Sequence, residues 1–252
     1  MSRNAVVAHA CLVVERTDGS SARCTTMQSS PPLTFRATPD GVYLVGSAAG
    51  PIGGDRLHVD VRVAPGATAV VRSAAATVAL PGPDGAPSEL VVDLTVAAGA
   101  ALWWLPEPLV AADGCDHTAR TTVRLEAGAT LVLREEVVLG RHGESGGSLC
   151  QRLVVDLDGA PLVRHELRLG PRWPGGAGPA VLGDARAVAQ TLVVGADAAA
   201  GKLVPRSGVR GAWMPLGEGA ALTTELAASP GRLGASRPCP PGFTPLVRAL
   251  PG

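Results

Sequence analysis

Aromatic side chains are almost missing from this chain: they make up 3% of its 252 residues. With 46% of residues apolar, the core must be filled by Val, Leu and Ala. Lysine is nearly absent as well, Lys202 being the single one, and 22 basic residues cancel 22 acidic ones. No Lys/Arg cluster stands out, so the electrostatic footprint of a nucleic-acid or membrane-surface binder is missing. No apolar run reaches the ~18 residues of a membrane-spanning helix. The five cysteines (11, 24, 115, 150, 239) form no C-x-x-C and are odd in number, which predicts free thiols and a reducing, cytoplasmic address. The N-terminal apolar stretch lacks a cleavage pattern and reads as a first strand. There is no phosphate-cradling G-x-x-x-x-G-K-[ST]; Pro51-Ile52-Gly53-Gly54-Asp55 lacks the lysine. A near-neutral surface predicts poor solubility without a partner.

What is present is turn chemistry between short valine-rich runs, with 32 Gly and 22 Pro. The clearest strand is 56–63, where Leu57, Val59, Val61 and Val63 alternate with His58, Asp60 and Arg62. Similar alternation recurs at 89–96, 119–127, 130–140, 151–159 and 162–170. A phrase of strand, Gly-Ala, strand repeats around Gly66, Gly99 and Gly128, at spacings of 33 and 29 residues. One such pair of strands cannot bury its apolar face alone, so units must stack as a solenoid or strand superhelix, or pair as hairpins in a sandwich. The expectation is a single all-β domain over residues 1–252, a solenoid-like stack of strands with one or two short helices. Residues 171–183 read as a long loop, and 184–204 as a short helix, a strand and an Ala-rich helix start. The breaker-rich tail from about 229 reads as loosely ordered.

Several segments could carry chemistry. Gly143-Glu144-Ser145-Gly146-Gly147 fits G-x-S-x-G, and with His9 upstream it suggests a serine hydrolase using Ser145. A strand rather than a helix follows Ser145, however, so a Gly-rich turn fits better. Cys115-Asp116-His117 clusters metal-ligand types without the second half that a tight site needs. Gly50 to Arg56 reads either as a glycine turn capped by Asp55 or as a place where Asp55 and Arg56 face a passage or a partner. Trp103-Trp104-Leu105-Pro106-Glu107-Pro108 is unusual in so aromatic-poor a chain; it reads as an interface anchor or as buried packing. Glu135-Glu136 and the Gly turn with Arg141 and Glu144 read as a salt-bridged corner or a polar channel lining.

Taken in order over residues 42–170, these segments resemble the urease accessory protein UreD (UreH) family. The carrying motifs are Gly53-Gly54-Asp55-Arg56, Gly66-Ala67, Trp104-Leu105-Pro106-Glu107-Pro108, Glu135/Glu136, Leu139-Gly140-Arg141 and Gly143-Glu144. The chain departs from the family pattern at 72–78, where the usual Gln and Lys are missing, and in its C-terminal segment. The resemblance implies a non-catalytic scaffold of stacked strands that binds UreF. That pair would recruit the GTPase UreG and dock on the urease apoprotein to pass on nickel. It implies no tightly bound cofactor, nickel only in transit, and an internal passage. Carried over, Asp55, Arg56, Glu107, Glu136, Arg141 and Glu144 are the candidates for metal-passage or partner-contact roles.

Overall fold

Each Gly-Ala phrase is one corner of a coil. The computed structural model of the chain describes residues 4–17, 22–195, 207–217 and 219–233. Its strands, numbered in chain order, form two sheets that face each other. The first has seven strands in the order β14 (Ala160–Leu169), β13 (Ser148–Leu157), β11 (Asp116–Leu125), β8 (Ser88–Val96), β5 (Arg56–Val63), β1 (Val7–Arg16) and β2 (Ala22–Gln28). The second runs β16 (Val209–Pro215), β17 (Ala220–Ala227), β15 (Ala187–Val194), β12 (Thr130–Leu139), β9 (Ala101–Leu105), β6 (Thr68–Ser73), β4 (Gly41–Gly46) and β3 (Leu33–Thr38). The short strands β7 (Thr77–Ala79) and β10 (Leu109–Ala111) belong to it too, with β10 between β7 and β12.

The chain passes from β5 to β6, from β8 to β9 and from β11 to β12 through the three Gly-Ala corners, and successive coils pair in parallel. Val63 lies beside Val96, and Val96 beside Leu125, so the repeat spacing read in the sequence is the stacking register. At each corner the glycine has a left-handed φ of 65° to 74° (Gly66, Gly99, Gly128), which only glycine adopts cheaply. The corners are stitched by Ala97 N–H to Val63 O and Glu126 N–H to Val96 O, both at 3.0 Å. This parallel stacking is a β-solenoid, and it excludes the hairpin sandwich. The stack is finished by antiparallel strands, β2 and β3–β4 at one end and β14, β15, β17 and β16 at the other.

A second set of corners returns the chain to the first sheet. Residues 50–55, 80–87, 112–115 and 140–147 lie on one another, joined by Gly53 N–H to Leu80 O at 3.1 Å and Gly140 N–H to Ala111 O at 2.8 Å. A Cβ on Gly53 would meet the Gly82 nitrogen at 2.4 Å, so the first glycine of the motif is demanded by close backbone approach, and the second, Gly54, by its φ of 95°.

The expected short helices reduce, among the described residues, to two 3₁₀ turns at Pro174–Ala177 and Pro230–Arg232. Within 184–204 the expected strand is β15, AVAQTLVV, whose β-branched residues fit between β12 and β17, and the short helix expected before it does not form. The Ala-rich stretch 196–206 lies outside the described residues. The start of the tail is docked: Leu233 is buried against Val138, Ala187, Ala189 and Ala227. The rest of the tail expectation, beyond 233, also lies outside the described residues.

Candidate functional site

Along the inward-facing positions of five strands, polar side chains interrupt the apolar alternation within one band of the interior: Thr121 is level with His165 through Leu153, and Gln151 lies one inward position away, beside Ala119 and Leu167. Thr121 stands before Val123 and Leu125 on β11. Glu135 stands between Leu133 and Val137 on β12, and Gln151 between Leu149 and Leu153 on β13. His165 on β14 and Gln190 on β15 continue the row. This polar layer divides the interior into two apolar cores, one centred on Leu12, Leu94, Leu131 and Leu153, the other on Val137, Leu139, Leu149 and Leu169.

Glu135 is the centre of the layer. Thr121 Oγ1 donates to one of its carboxylate oxygens, and Gln151 Nε2 donates to the other at 2.9 Å. Burial raises the pKa of Glu135, while these two hydrogen bonds pull it down. Nearby, Gln190 Nε2 lies 3.2 Å from His165 Nε2, and burial lowers the pKa of His165.

Beside Glu135 is a cavity of about 70 Å³. It reaches from Val59 and Val92 inside the coil to Ser73, Thr77, Pro106 and Glu107 in the second sheet. The Pro106-Glu107-Pro108 motif explains the break there. Proline has no N–H for the ladder, so β9 ends at Leu105 and β10 starts at Leu109. The loop between them is pinned by Glu107 N–H to Ser73 Oγ at 2.8 Å. Trp104 is buried on the cavity wall, so it serves packing rather than an exposed anchor.

The predicted residues fall into three places. Glu107 and Glu136 line the cavity with Glu135. Glu136 also belongs to a buried outer network, in which Arg134 donates to it at 2.7 Å, to Thr191 Oγ1 at 2.9 Å and to Glu225 at 3.2 Å. The same guanidinium donates to the Leu233 carbonyl. Asp55 is fully buried away from the cavity lining; its carboxylate accepts Val6 N–H and Ile52 N–H, each at 2.9 Å, and so ties β1 to the Gly-Gly corner. Arg56 is exposed at the start of β5. Arg141 and Glu144 are paired on the last corner, where Glu144 also accepts Arg141 N–H at 2.9 Å and Asp113 N–H at 3.1 Å. Led by the Arg141 guanidinium, these donors hold the Glu144 carboxyl at about 2.

Sequence reading named the Glu135-Glu136 pair as a possible channel lining but carried only Glu136 to the candidate list, and it missed Thr121 and Gln151. The signal was there: on β12 the inward parity of Leu131 and Leu133 passes to Glu135.

Ser145 is exposed on the 140–147 corner, next to β13, whereas His9 lies on β1. Four strand spacings separate those strands, about 19 Å, so His9 is no base for Ser145. Cys115 and His117 are both buried: the thiol is pushed up to about 11, first by burial, and His117 Nδ1 pairs with Ser88 Oγ at 2.8 Å. Among the described residues, no three His, Cys, Asp or Glu side chains converge as a ready metal site. The oxygen donors of the polar layer suit weak, exchangeable contact with a divalent ion rather than tight capture.

The chain is thus a parallel β-solenoid whose apolar coil holds a polar layer and a side cavity. The family model described as "UreD urease accessory protein" matches residues 7–238, and the chain belongs to that family. It is 43% identical over 251 residues to the urease accessory protein UreD of Parafrankia sp. (strain EAN1pec), covering 90% of this chain and 84% of that one. It is 44% identical over 229 residues to the UreD of Streptomyces coelicolor, covering 88% and 90%. It is 48% identical over 207 residues to UreD 3 of Streptomyces griseus subsp. griseus, covering 78% and 80%. No helix among the described residues is long and apolar enough to cross a membrane.

Proposed function

We propose that this chain is a non-catalytic, cytoplasmic scaffold that acts with the accessory proteins UreF and UreG to deliver nickel to the urease apoprotein. The metal passes through it as cargo. The observation that carries this reading is Glu135, a carboxylate held inside the coil by Thr121 and Gln151 and set beside a cavity that Glu107 and Glu136 also line. Such oxygen donors shield a divalent ion from solvent yet release it, where a Cys/His cage would trap it. Asp55 and Glu144 shape the stacked corner, and the exposed Arg56 and Arg141 on it are suited to partner contact.

The test is nickel per active site in urease purified from a host lacking this gene. Re-expression of the natural chain restores the metal. A Glu135→Ala chain, pulled down with UreF as well as the natural one, leaves urease nickel-poor. Full nickel loading without the gene removes the maturation reading. Full loading with Glu135→Ala removes the passage alone.

A further inference from the structure

The outer face of the first sheet carries a second set of ligand-type side chains, on the opposite side of the strands from the cavity. Strands β1, β5 and β8 run in parallel there, and their register places His9 beside His58. Two residues on, it places Cys11 beside Asp60, and Asp60 beside Asp93. Alternation turns all five to the outer side, opposite the inward Ala10, Val59 and Leu94.

Two observations go beyond composition. The His9 and His58 rings are stacked, with centroids 4.5 Å apart and planes 11° apart. Asp93 Oδ2 lies 2.8 Å from His58 Nε2. A carboxylate only accepts, so Nε2 carries the proton and, in the neutral ring, Nδ1 keeps its lone pair. A carboxylate that fixes the tautomer of a histidine is the usual outer partner of a metal-bound imidazole. Asp60, by contrast, is committed to Arg62, which donates to it at 3.1 and 2.8 Å.

We propose that His9, His58 and Cys11 form a binding site for one divalent transition-metal ion on this outer face, with Asp93 as the positioning residue of His58. Two imidazoles and a sulfur select borderline ions such as Ni²⁺ and Zn²⁺ over Mg²⁺ or Ca²⁺. The three side chains do not converge as they stand, and closure takes rotation of His9 and Cys11 about their side-chain bonds toward a His58 held by Asp93. The scaffold allows it: neighbouring strands are about 4.8 Å apart and same-face residues about 6.7 Å apart along a strand, against metal–ligand bonds of about 2.0–2.3 Å. His9 is exposed and Cys11 is half-buried, so the rotation disturbs no core packing. The site is separate from the polar layer and does not depend on the passage.

The experiment titrates NiCl₂ into the full-length chain, purified without a polyhistidine tag, by calorimetry and electronic absorption. One ion per chain is expected, with a sulfur-to-nickel charge-transfer band. His9→Ala and His58→Ala each weaken binding tenfold or more, with far-ultraviolet circular dichroism unchanged. Cys11→Ser removes the band. Asp93→Asn weakens binding about tenfold and keeps the band, as expected of a group acting through His58. Unchanged affinity in the His9→Ala/His58→Ala double variant overturns the proposal, as does the absence of stoichiometric binding by the natural chain. Unchanged affinity in Asp93→Asn overturns the positioning role.

Discussion

Gln151 on β13 donates its side-chain amide to Glu135 on β12 at 2.9 Å, a bond that crosses the interior from one sheet to the other. Most of the space between the sheets is filled by Val, Leu and Ala, where a lone carboxylate would be expelled or neutralised. Thr121 and Gln151 make Glu135 tolerable, and Pro106-Glu107-Pro108 keeps the neighbouring strands apart. The polar layer is thus a built interruption of the core, placed where the second sheet is also interrupted.

The buried Glu135 implies a pH dependence of stability. Its folded pKa is raised by burial above the ordinary value of 4.5. Below the ordinary range both folded and unfolded chains hold the proton, and burial carries no ionic penalty. As pH rises through that range the unfolded chain ionises first, so this group's contribution to stability falls until the folded carboxyl ionises too. Glu135→Gln removes that slope. Urea midpoints at pH 4 and pH 7 should show the variant gaining on the natural chain at the higher pH. A constant difference between the two proteins contradicts the burial argument.

Arg134 pairs with both Glu136 and Glu225 in a site where all three side chains are at most 8% exposed. Arg134→Ala removes the guanidinium that the two buried carboxylates share and should cost roughly 3–5 kcal/mol. Because Arg134 also binds the Leu233 carbonyl, limited proteolysis should cut the variant faster near 229–233. Arg152, which pairs with Glu166 on the exposed outer face, is the control. Arg152→Ala should leave the urea midpoint where it was. Equal effects of the two substitutions would contradict the distinction between buried and surface pairs.

The solenoid was legible because its register is written in the sequence. Gly66, Gly99 and Gly128 are spaced as the coils are stacked, and strict alternation at 56–63 marked its strand correctly. The corner role of Asp55 was also open to reading, since Asp after two glycines commonly accepts backbone N–H groups. Glu135 was passed over for Glu136 because both faces of β12 are buried, so hydrophobicity alone could not tell in from out. Strand parity counted from Leu131 does tell them apart. What no local pattern shows is that Thr121, Gln151, His165 and Gln190 gather in one band of the interior. That alignment comes from the stacking of strands up to 69 residues apart.

The stacked corners carry a packing prediction. A Cβ on Gly53 would lie 2.3 Å from Ala86 O and 2.4 Å from Gly82 N, both backbone atoms that cannot step aside. Gly53→Ala should therefore destabilise the fold by about 3 kcal/mol or more. At Gly175 nothing among the described residues lies within 4 Å of such a Cβ, and Gly175→Ala should stay within about 0.5 kcal/mol. Thermal or urea unfolding of the two variants checks the contrast. A Gly53→Ala chain as stable as the natural one would mean that the corners are not in backbone contact.

His117 gives the acid limit of the fold. It is fully buried, its Nδ1 pairs with Ser88 Oγ, and its Nε2 has no hydrogen-bond partner among the described residues. Burial lowers its pKa from 6.5 to about 4. Above pH 6.5 the ring is neutral in both states and contributes no slope. Between pH 6.5 and about 4 the unfolded chain takes up a proton that the folded chain refuses, so stability falls with falling pH. At about 1.4 kcal/mol per pH unit, this group alone removes about 2 kcal/mol between pH 7 and pH 5. The direction is opposite to that of Glu135, so each must be read as a difference between natural and variant proteins. His117→Gln keeps an acceptor for Ser88 and carries no titrating group. Its stability relative to the natural chain should improve by about 2 kcal/mol from pH 7 to pH 5. If the two proteins instead lose stability in parallel over that range, the folded chain is admitting the proton at His117, and that corner of the core is open to water.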